Sequence, residues 1–277
     1  MSLPLIDTRP LFRPLSDDLV TLLRSLQADD WLRPTVAGAW RVRDVVAHLT
    51  DTTFRRLSLH RDGVVPAGSA PANDADLAAL INSLNTSWVH VAARLSPRVL
   101  TDLYATAGSA LAEFMQSLDL QCPARWPVSW VGQAHSPQWL DIGREFTEVW
   151  HHGAQIRDAV QAGPFAEPRW LRAVLDIAMH ALPVAYRHEP APAGTTIVIH
   201  VIGRSGGTWT IVKTTTHGWD VEEGGLRTAT TSVTLSDETA WRLLFNGLAH
   251  TDRAPLIQIE GDPAFAAPFE RARAIVM

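Results

Sequence analysis

Two residues with metal-binding side chains stand four positions apart in the segment Glu-Val-Trp-His-His at positions 148–152. In an α-helix, residues at i and i+4 share a face, with Cβ atoms about 5–6 Å apart. Glu148 and His152 are therefore close enough to bind one divalent ion together. A site needs a third ligand. His48, in the segment Trp-Arg-Val-Arg-Asp-Val-Val-Ala-His-Leu at positions 40–49, is a candidate from another predicted helix.

A purely structural interpretation of these three residues is also open. Glu148 and His152 would then form a solvated polar pair on a helix surface, and His48 would be a hydrogen-bonded histidine of the core. Successive helical residues are separated by about 100°, which places six residues of the predicted helix 137–161 on one apolar stripe: Ile142, Phe146, Val149, Gly153, Ile156 and Val160. We expect His152 to face inward beside this stripe and His151 to lie at the surface or behind a ligand. Glu145, on the same flank as His152, is the reserve carboxylate.

The composition is that of a globular protein with one large or two modest domains. The chain has 277 residues, of which 46% are hydrophobic and 19% charged, as is ordinary for such proteins. A net charge of −5 and a pI near 6.1 give no electrostatic reason to bind nucleic acid or anionic lipid. We therefore expect neither nucleic acid nor a membrane as a partner.

Cys122 is the single cysteine, so the chain has no intrachain disulfide and fits a reducing compartment. Its surroundings lack metal-ligand spacing, and we interpret it as a structural or incidental thiol. The first residues lack the basic segment and apolar run of a signal peptide, and no stretch approaches the ~20 apolar residues of a transmembrane helix. These features predict a cytoplasmic protein.

Helical periodicity dominates up to about residue 188. The apolar spacing and the proline and glycine breaks predict six helices, at 15–26, 41–60, 74–95, 97–118, 137–161 and 168–187. Ser136, followed by Pro137, has the residue types of a helix start, with serine as the cap and proline at the first helical position.

Beyond a short linker rich in proline and alanine at 189–194, the pattern changes to β-strands. Strands are predicted at 196–202, 208–214, 219–222, 230–235 and 256–259, with helices at 237–246 and 263–275. The glycine-rich segment 203–207 has the composition of a hairpin connection. We therefore predict an α+β protein with two domains, a helical domain at 1–188 and a small α+β domain at 195–277.

A family resemblance follows from these segments. Trp31, the loop Arg33-Pro34-Thr35 and the segment 40–49 resemble the first block of the DinB-like superfamily of four-helix-bundle metalloproteins, and in particular its mycothiol-dependent maleylpyruvate isomerase branch. The segment from Glu148 to Asp158 is similar to the second block of that branch. The C-terminal domain resembles, in general style only, the sterol-carrier-like domain often appended to it. The resemblance implies a DinB-like four-helix bundle with extra helices.

Carried over residue by residue, the resemblance makes His48, Glu148 and His152 the metal ligands. Three protein ligands with open positions are typical of a catalytic site, whereas structural zinc sites are usually closed by four. Two imidazoles and one carboxylate suit zinc, and nickel or iron would also fit. Asp44 and Thr52, one turn before and after His48, are candidates to orient its imidazole.

The resemblance also implies the chemistry. The cosubstrate would be mycothiol or another small thiol, whose thiolate adds reversibly to the cis double bond of maleylpyruvate and leaves fumarylpyruvate. The same apparatus could transfer the thiol to an electrophile for detoxification. Two non-catalytic alternatives stay open at this point, an apolar-ligand binding module built on the α+β domain and a stress or regulatory protein that keeps the metal triad.

A dicarboxylate substrate would require cationic side chains, for which arginine is suited. The second domain offers Arg204, Arg227, Arg242 and Arg253, and no motif selects one of them. The small-molecule substrate, the identity of the thiol, and the choice between monomer and homodimer are not determined by the sequence.

Overall fold

The structure is a computed structural model that describes residues 4–64, 74–125, 128–132, 136–216, 218–225 and 228–274. Contacts divide the chain into two compact units. The helical unit contains Asp7–Arg125 and Pro137–Ala166, and the sheet unit contains Met1–Ile6, Trp126–Ser136 and Glu167–Val276. Residues 167–188 are thus grouped with the sheet, whereas the predicted division at 188 and 195 groups them with the bundle. That division stays a prediction.

The helical unit is a four-helix bundle with one additional helix. Its helices are α1 (Phe12–Ser25), α2 (Val42–Arg56), α3 (Asp74–Ala92), α4 (Pro97–Ser117) and α5 (Gln138–Val160). Helices α1 and α2 each pack against both α4 and α5, which closes the bundle, and α3 packs against α2. Leucines at helical spacing explain the burial of α1, because Leu15, Leu19 and Leu23 are all removed from solvent.

Two helix ends differ from their predicted form. Helix α5 begins at Gln138 with Pro137 at its N-cap, so the prediction that Ser136 caps it is wrong. The Ser136 hydroxyl instead accepts a hydrogen bond from the Val128 amide at 2.9 Å. Helix α2 ends at Arg56 and is followed by a π-helical turn, Leu57–Arg61. The helix and the turn together end close to residue 60, where the helix was predicted to end.

The sheet unit contains α6 (Pro168–Ala178), α7 (Leu182–Tyr186), β1 (Thr196–Ile202), β2 (Gly207–Lys213), β3 (Trp219–Glu223), β4 (Thr231–Ser236), α8 (Asp237–Leu244), β5 (Ile257–Gly261) and α9 (Ala267–Arg271). The strand order is β3-β2-β1-β4-β5. Strands β1 and β4 are parallel, and the other neighbours are antiparallel. All five predicted strands are present, and β1 and β2 pair as the predicted hairpin.

The last predicted helix is shorter than expected. A 3₁₀ turn at Pro263–Phe265 precedes α9, because Pro268 has no backbone N–H and cannot continue a helix that began earlier. The predicted fold class, a helical bundle followed by a small α+β domain, is confirmed. Among the described residues, no helix is long and apolar enough to cross a membrane.

A buried ion pair joins α2 to α5. Arg56 on α2 donates two hydrogen bonds to Asp141 on α5, and both side chains are almost completely buried. Arg144 donates a further bond to Asp141 at 2.7 Å. Burial alone raises the pKa of Asp141, but the charges and hydrogen bonds of Arg144 and Arg56 outweigh it and lower the pKa to about 2. The carboxylate therefore stays ionised between the helices.

Asp141→Asn should lower the free energy of unfolding by about 3–5 kcal/mol, because it leaves the buried Arg56 guanidinium without its carboxylate. The contribution of Asp141 is fully present above its usual pKa of 3.8 and is lost as pH falls towards about 2. Urea unfolding of the full chain, followed by helical circular dichroism, measures both effects. Asp102→Asn is the control, because the Arg98–Asp102 pair is exposed and its loss should change little. Equal effects of the two variants would contradict a structural role for the buried pair.

Candidate metal centre

Three potential metal ligands from two helices meet at one point of the helical unit. His48 Nε2 on α2 lies 2.9 Å from Glu148 Oε1 on α5. His152 Nε2, one turn further along α5, lies 3.3 Å from the same oxygen. One ligand atom from each of these residues falls within 4.8 Å of the others. The structure thus brings together the three residues that the sequence analysis selected.

The antiparallel packing of α2 and α5 explains this convergence. Moving eight residues along α2, from His48 to Arg56, corresponds to moving seven residues back along α5, from Glu148 to Asp141. At 1.5 Å per residue, the buried ion pair lies about 12 Å along the bundle from the triad. The ion pair therefore fixes the register in which His48 faces Glu148.

The triad is buried on the histidine side and partly open at the carboxylate. The side chains of His48 and His152 are 5% and 11% exposed, whereas that of Glu148 is 34% exposed. A solvated surface pair is therefore the wrong description of Glu148 and His152. The partial exposure of Glu148 marks the side from which a small molecule can approach.

Electrostatics favour an ionised carboxylate at the centre of the triad. Burial raises the pKa of Glu148, but the charge of His152 and hydrogen bonds from both imidazoles outweigh it and hold the pKa well below its usual value. Burial lowers the pKa of His48. Burial also acts to lower the pKa of His152, but the charge of Glu148 and the hydrogen bonds prevail and raise it. Deprotonated carboxylate and neutral imidazole are the forms that bind a metal, so a metal ion would have to displace the proton that the raised pKa favours on His152.

Gln155 connects the triad to His151, and sequence reasoning missed it. Its Oε1 lies 2.7 Å from His152 Nδ1, and its Nε2 lies 3.0 Å from His151 Nε2. His151 is buried, so the prediction of a surface position is wrong and the alternative position behind a ligand is the one observed. Burial, followed by the charge of His152, lowers the pKa of His151 to about 3. The available signal was spacing, because Gln155 is three and four positions after these histidines.

The His48 imidazole is oriented by packing. The Trp40 ring lies over it, with centroids 4.9 Å apart, and its buried Nδ1 has no hydrogen-bond partner among the described residues. Asp44 accepts a hydrogen bond from the Arg41 amide as part of the α2 cap, and the Thr52 hydroxyl donates to the Leu49 carbonyl. Neither Asp44 nor Thr52 therefore orients His48 as the sequence suggested.

Glu145, the reserve carboxylate, belongs to the buried ion pair rather than to the triad. Its Oε2 lies 4.0 Å from Arg56, and burial raises its pKa although Arg56 and Arg144 oppose the change. It does not belong to the ligand group formed by His48, Glu148 and His152.

The donor set fits a divalent ion of the zinc type. Ligand atoms about 2.0–2.1 Å from a tetrahedral zinc ion are separated from one another by about 3.3 Å. The two distances to Glu148 Oε1, 2.9 and 3.3 Å, are close to this separation. Two imidazoles and one carboxylate also leave a coordination position for an outside ligand. The described residues therefore match an open metal site.

Of the four arginines that the sequence offered without selecting one, two have other contacts. Arg242 pairs with Glu238, Arg253 is buried and donates to the carbonyls of Leu248 and Glu270, and Arg204 is exposed. Arg227 lies outside the described residues.

Two arginines on the helices that carry the triad act electrostatically on its residues. Arg55 on α2 contributes its charge to the environment of His48, and Arg144 on α5 interacts electrostatically with Glu148. The side chains of Arg55 and Arg144 are 30% and 36% exposed. Sequence reasoning looked for substrate cations only in the second domain and missed both.

Comparisons with known proteins point to one family. A model of the mycothiol maleylpyruvate isomerase N-terminal domain matches residues 12–157, more than half of the chain. An uncharacterized protein of Mycobacterium tuberculosis, known from strains CDC 1551 / Oshkosh and ATCC 25618 / H37Rv, is 28% identical over 198 residues. That alignment covers 71% of this chain and 73% of the relative.

Two solved structures share the fold. Crystal structures of the mycothiol-dependent maleylpyruvate isomerase and of a histidine-to-alanine mutant of it superpose with TM-scores of 0.52 and 0.50. Each covers 87% of this chain and 88% of its own, at 13% and 14% identity. At this identity the likeness supports the fold alone.

Purified full-length protein should bind about one divalent ion per chain, and His48→Ala, Glu148→Gln and His152→Ala should each lose most of it, because a site with two remaining ligands holds metal weakly. Equilibrium dialysis against zinc, with metal analysis of the retained protein, measures the stoichiometry. His90→Ala, which removes an exposed histidine of α3, is the matched control and should bind like the wild type. Metal-free wild-type protein after dialysis would overturn the site.

Proposed function

We propose that this chain, which belongs to the mycothiol maleylpyruvate isomerase family, is a metal-dependent enzyme that uses a small thiol to isomerise the cis double bond of maleylpyruvate. The observation that carries the proposal is the convergence of His48, Glu148 and His152 on one point. We propose mycothiol as the thiol and zinc as the ion, with nickel or iron as alternatives that the same ligands accept.

The three proposed ligands would provide different donor groups to the ion. Glu148 supplies the negative charge, and the imidazoles of His48 and His152 supply neutral nitrogen donors from neighbouring helices. A divalent ion held by them would stabilise the cosubstrate thiol as its thiolate, the nucleophilic form, at neutral pH. The partly exposed edge of Glu148 leaves the thiol and substrate a side of approach.

The chain's own thiol is unsuited to this chemistry. Cys122 is exposed, and its hydrogen bond with the Asp119 carboxylate raises its pKa, which disfavours the thiolate. A nucleophilic sulfur must therefore come from a cosubstrate.

The proposed reaction conserves the thiol. The thiolate adds to one carbon of the cis double bond, and the electron pair of that bond moves into the adjacent carbonyl as an enolate. The bond between the two carbons is then single and rotates. Collapse of the enolate expels the same thiolate and leaves the trans isomer, so neither an oxidant nor a reductant is needed.

Arg144 is the side chain we propose for binding a substrate carboxylate. It lies one turn before Glu148 on α5, and more than a third of its side chain is exposed. Its contact with Asp141 fixes the guanidinium without using all of its donors, and Asp141 is already paired with Arg56. A guanidinium with spare donors is suited to a carboxylate.

Zinc-loaded protein should convert maleylpyruvate to fumarylpyruvate only when mycothiol is present, and the thiol should be recovered unchanged after many turnovers. The decrease in substrate absorbance gives the rate, and proton NMR of the vinyl signals identifies the trans product. His48→Ala should reduce the rate by at least about a hundredfold, and His90→Ala should not change it.

The alternatives give different outcomes in the same assay. Consumption of one thiol per electrophile, with a thioether product, would identify an S-transferase and reject isomerisation. Zinc binding without thiol-dependent turnover of maleylpyruvate or a panel of electrophiles would reject the enzyme and favour a binding or stress-related role.

Arg144→Gln should raise the KM for maleylpyruvate about tenfold or more, because a hydrogen bond to a charged group contributes about 1.5–3 kcal/mol. The kcat at saturation and the zinc content should change little. The control is Arg98→Gln, which removes a highly exposed arginine. Steady-state kinetics of the wild type and of the two variants measure KM and kcat. An unchanged KM would remove Arg144 from substrate binding.

A further inference from the structure

Gln155 occupies a buried position between two adjacent histidines of α5. It is 6% exposed, and its side-chain amide contacts one ring nitrogen of each. The carbonyl oxygen faces His152 Nδ1 at 2.7 Å, and the amide nitrogen faces His151 Nε2 at 3.0 Å. One side chain thus makes a hydrogen bond to a proposed metal ligand and another to its sequence neighbour.

Donor and acceptor chemistry fixes the proton on each ring. An amide oxygen only accepts and an amide NH₂ only donates. His152 Nδ1 must therefore carry a hydrogen, and His151 Nε2 must present a lone pair. A ring protonated at Nδ1 can use Nε2 as a ligand atom once its Nε2 proton, which faces Glu148 Oε1 at 3.3 Å, has been released to solvent.

The same side chain explains why only one of two adjacent histidines is available to the metal. The Nε2 lone pair of His151 is engaged by Gln155, and consecutive residues point about 100° apart around the helix. His152 can reach Glu148 while His151 lies behind Gln155. The order of contacts outward from Glu148 is thus His152, Gln155 and His151.

We propose that Gln155 is a positioning residue, which holds His152 in the Nδ1–H tautomer with Nε2 directed at the metal and keeps His151 from becoming a competing ligand. This inference rests on the proposed metal site, but it does not depend on the isomerase reaction. Its experimental test is therefore metal affinity and ring tautomer rather than turnover.

Three full-length proteins test it, the wild type, Gln155→Leu and Gln155→Glu. Leucine removes both hydrogen bonds at similar volume and should weaken zinc affinity about 10–100-fold, the usual effect of losing the partner that orients a ligand. Glutamate keeps an acceptor for His152 Nδ1. The zinc affinity of the Gln155→Glu variant should therefore stay within a few-fold of that of the wild type. Competition with a chromophoric chelator measures all three affinities.

The tautomer of the His152 ring is a property that a purely structural role of Gln155 would not change. In zinc-loaded wild type, ¹⁵N–¹H NMR of the His152 ring should show a proton on Nδ1 that exchanges slowly with solvent. Gln155→Glu should keep this signal, and Gln155→Leu should lose its protection from exchange.

Gln27→Leu is the control, because it removes a glutamine side-chain hydrogen bond away from the triad, the one to the Ser25 carbonyl at 3.4 Å. It should leave zinc affinity and the His152 signal unchanged. Wild-type affinity in Gln155→Leu, or an equal loss in Gln155→Leu and Gln155→Glu, would overturn the inference.

The same measurements distinguish a failure of this inference from a failure of the proposed function. A wild type that binds zinc and shows the expected variant effects, yet does not isomerise maleylpyruvate, would reject the reaction and support the role of Gln155. A wild type that binds no zinc would overturn both.

Discussion

Arg56 on α2 and Asp141 on α5 are almost wholly removed from water, and each charge is compensated there chiefly by the other. Apolar packing brings the two helices together but does not by itself select one sliding position, because leucine and valine surfaces accept several. A buried charge pair does select one, since a shift by a single turn would separate the two charges in a low-dielectric interior. The antiparallel register of α2 and α5 therefore depends on this contact.

The triad inherits its geometry from that register. A second polar contact between α2 and α5 lies about two turns from the ion pair. In this contact, His48 and His152 share one oxygen of Glu148. The ionised carboxylate compensates for the burial of two imidazoles. Gln155 then gives His152 a partner for its remaining nitrogen.

The sequence predicted the bundle, the strands and the three residues that meet in the triad, but not their surroundings. Periodicity sufficed for the core stripe of α5, since Ile142 and Phe146 are fully buried. It failed for His151, because α5 contacts both α1 and α2 and Phe165 packs against Trp150, so the buried arc is wider than one stripe. Gln155 was missed because its role depends on side-chain conformations that spacing does not specify. Ser136 was assigned to a cap because its competing partner, the Val128 amide, lies in a loop without a recognisable pattern.

The distance along the chain between His48 and Glu148, one hundred residues, determines when in folding the centre forms. Contacts between distant residues form only after the entropy of closing the intervening chain has been overcome. Helices α3 and α4 lie within that interval, so the ligands meet as the bundle closes rather than at an early local stage. An ion bound at the proposed site would therefore enter a bundle that is already assembled, and it would slow the unfolding of the bundle rather than start its folding.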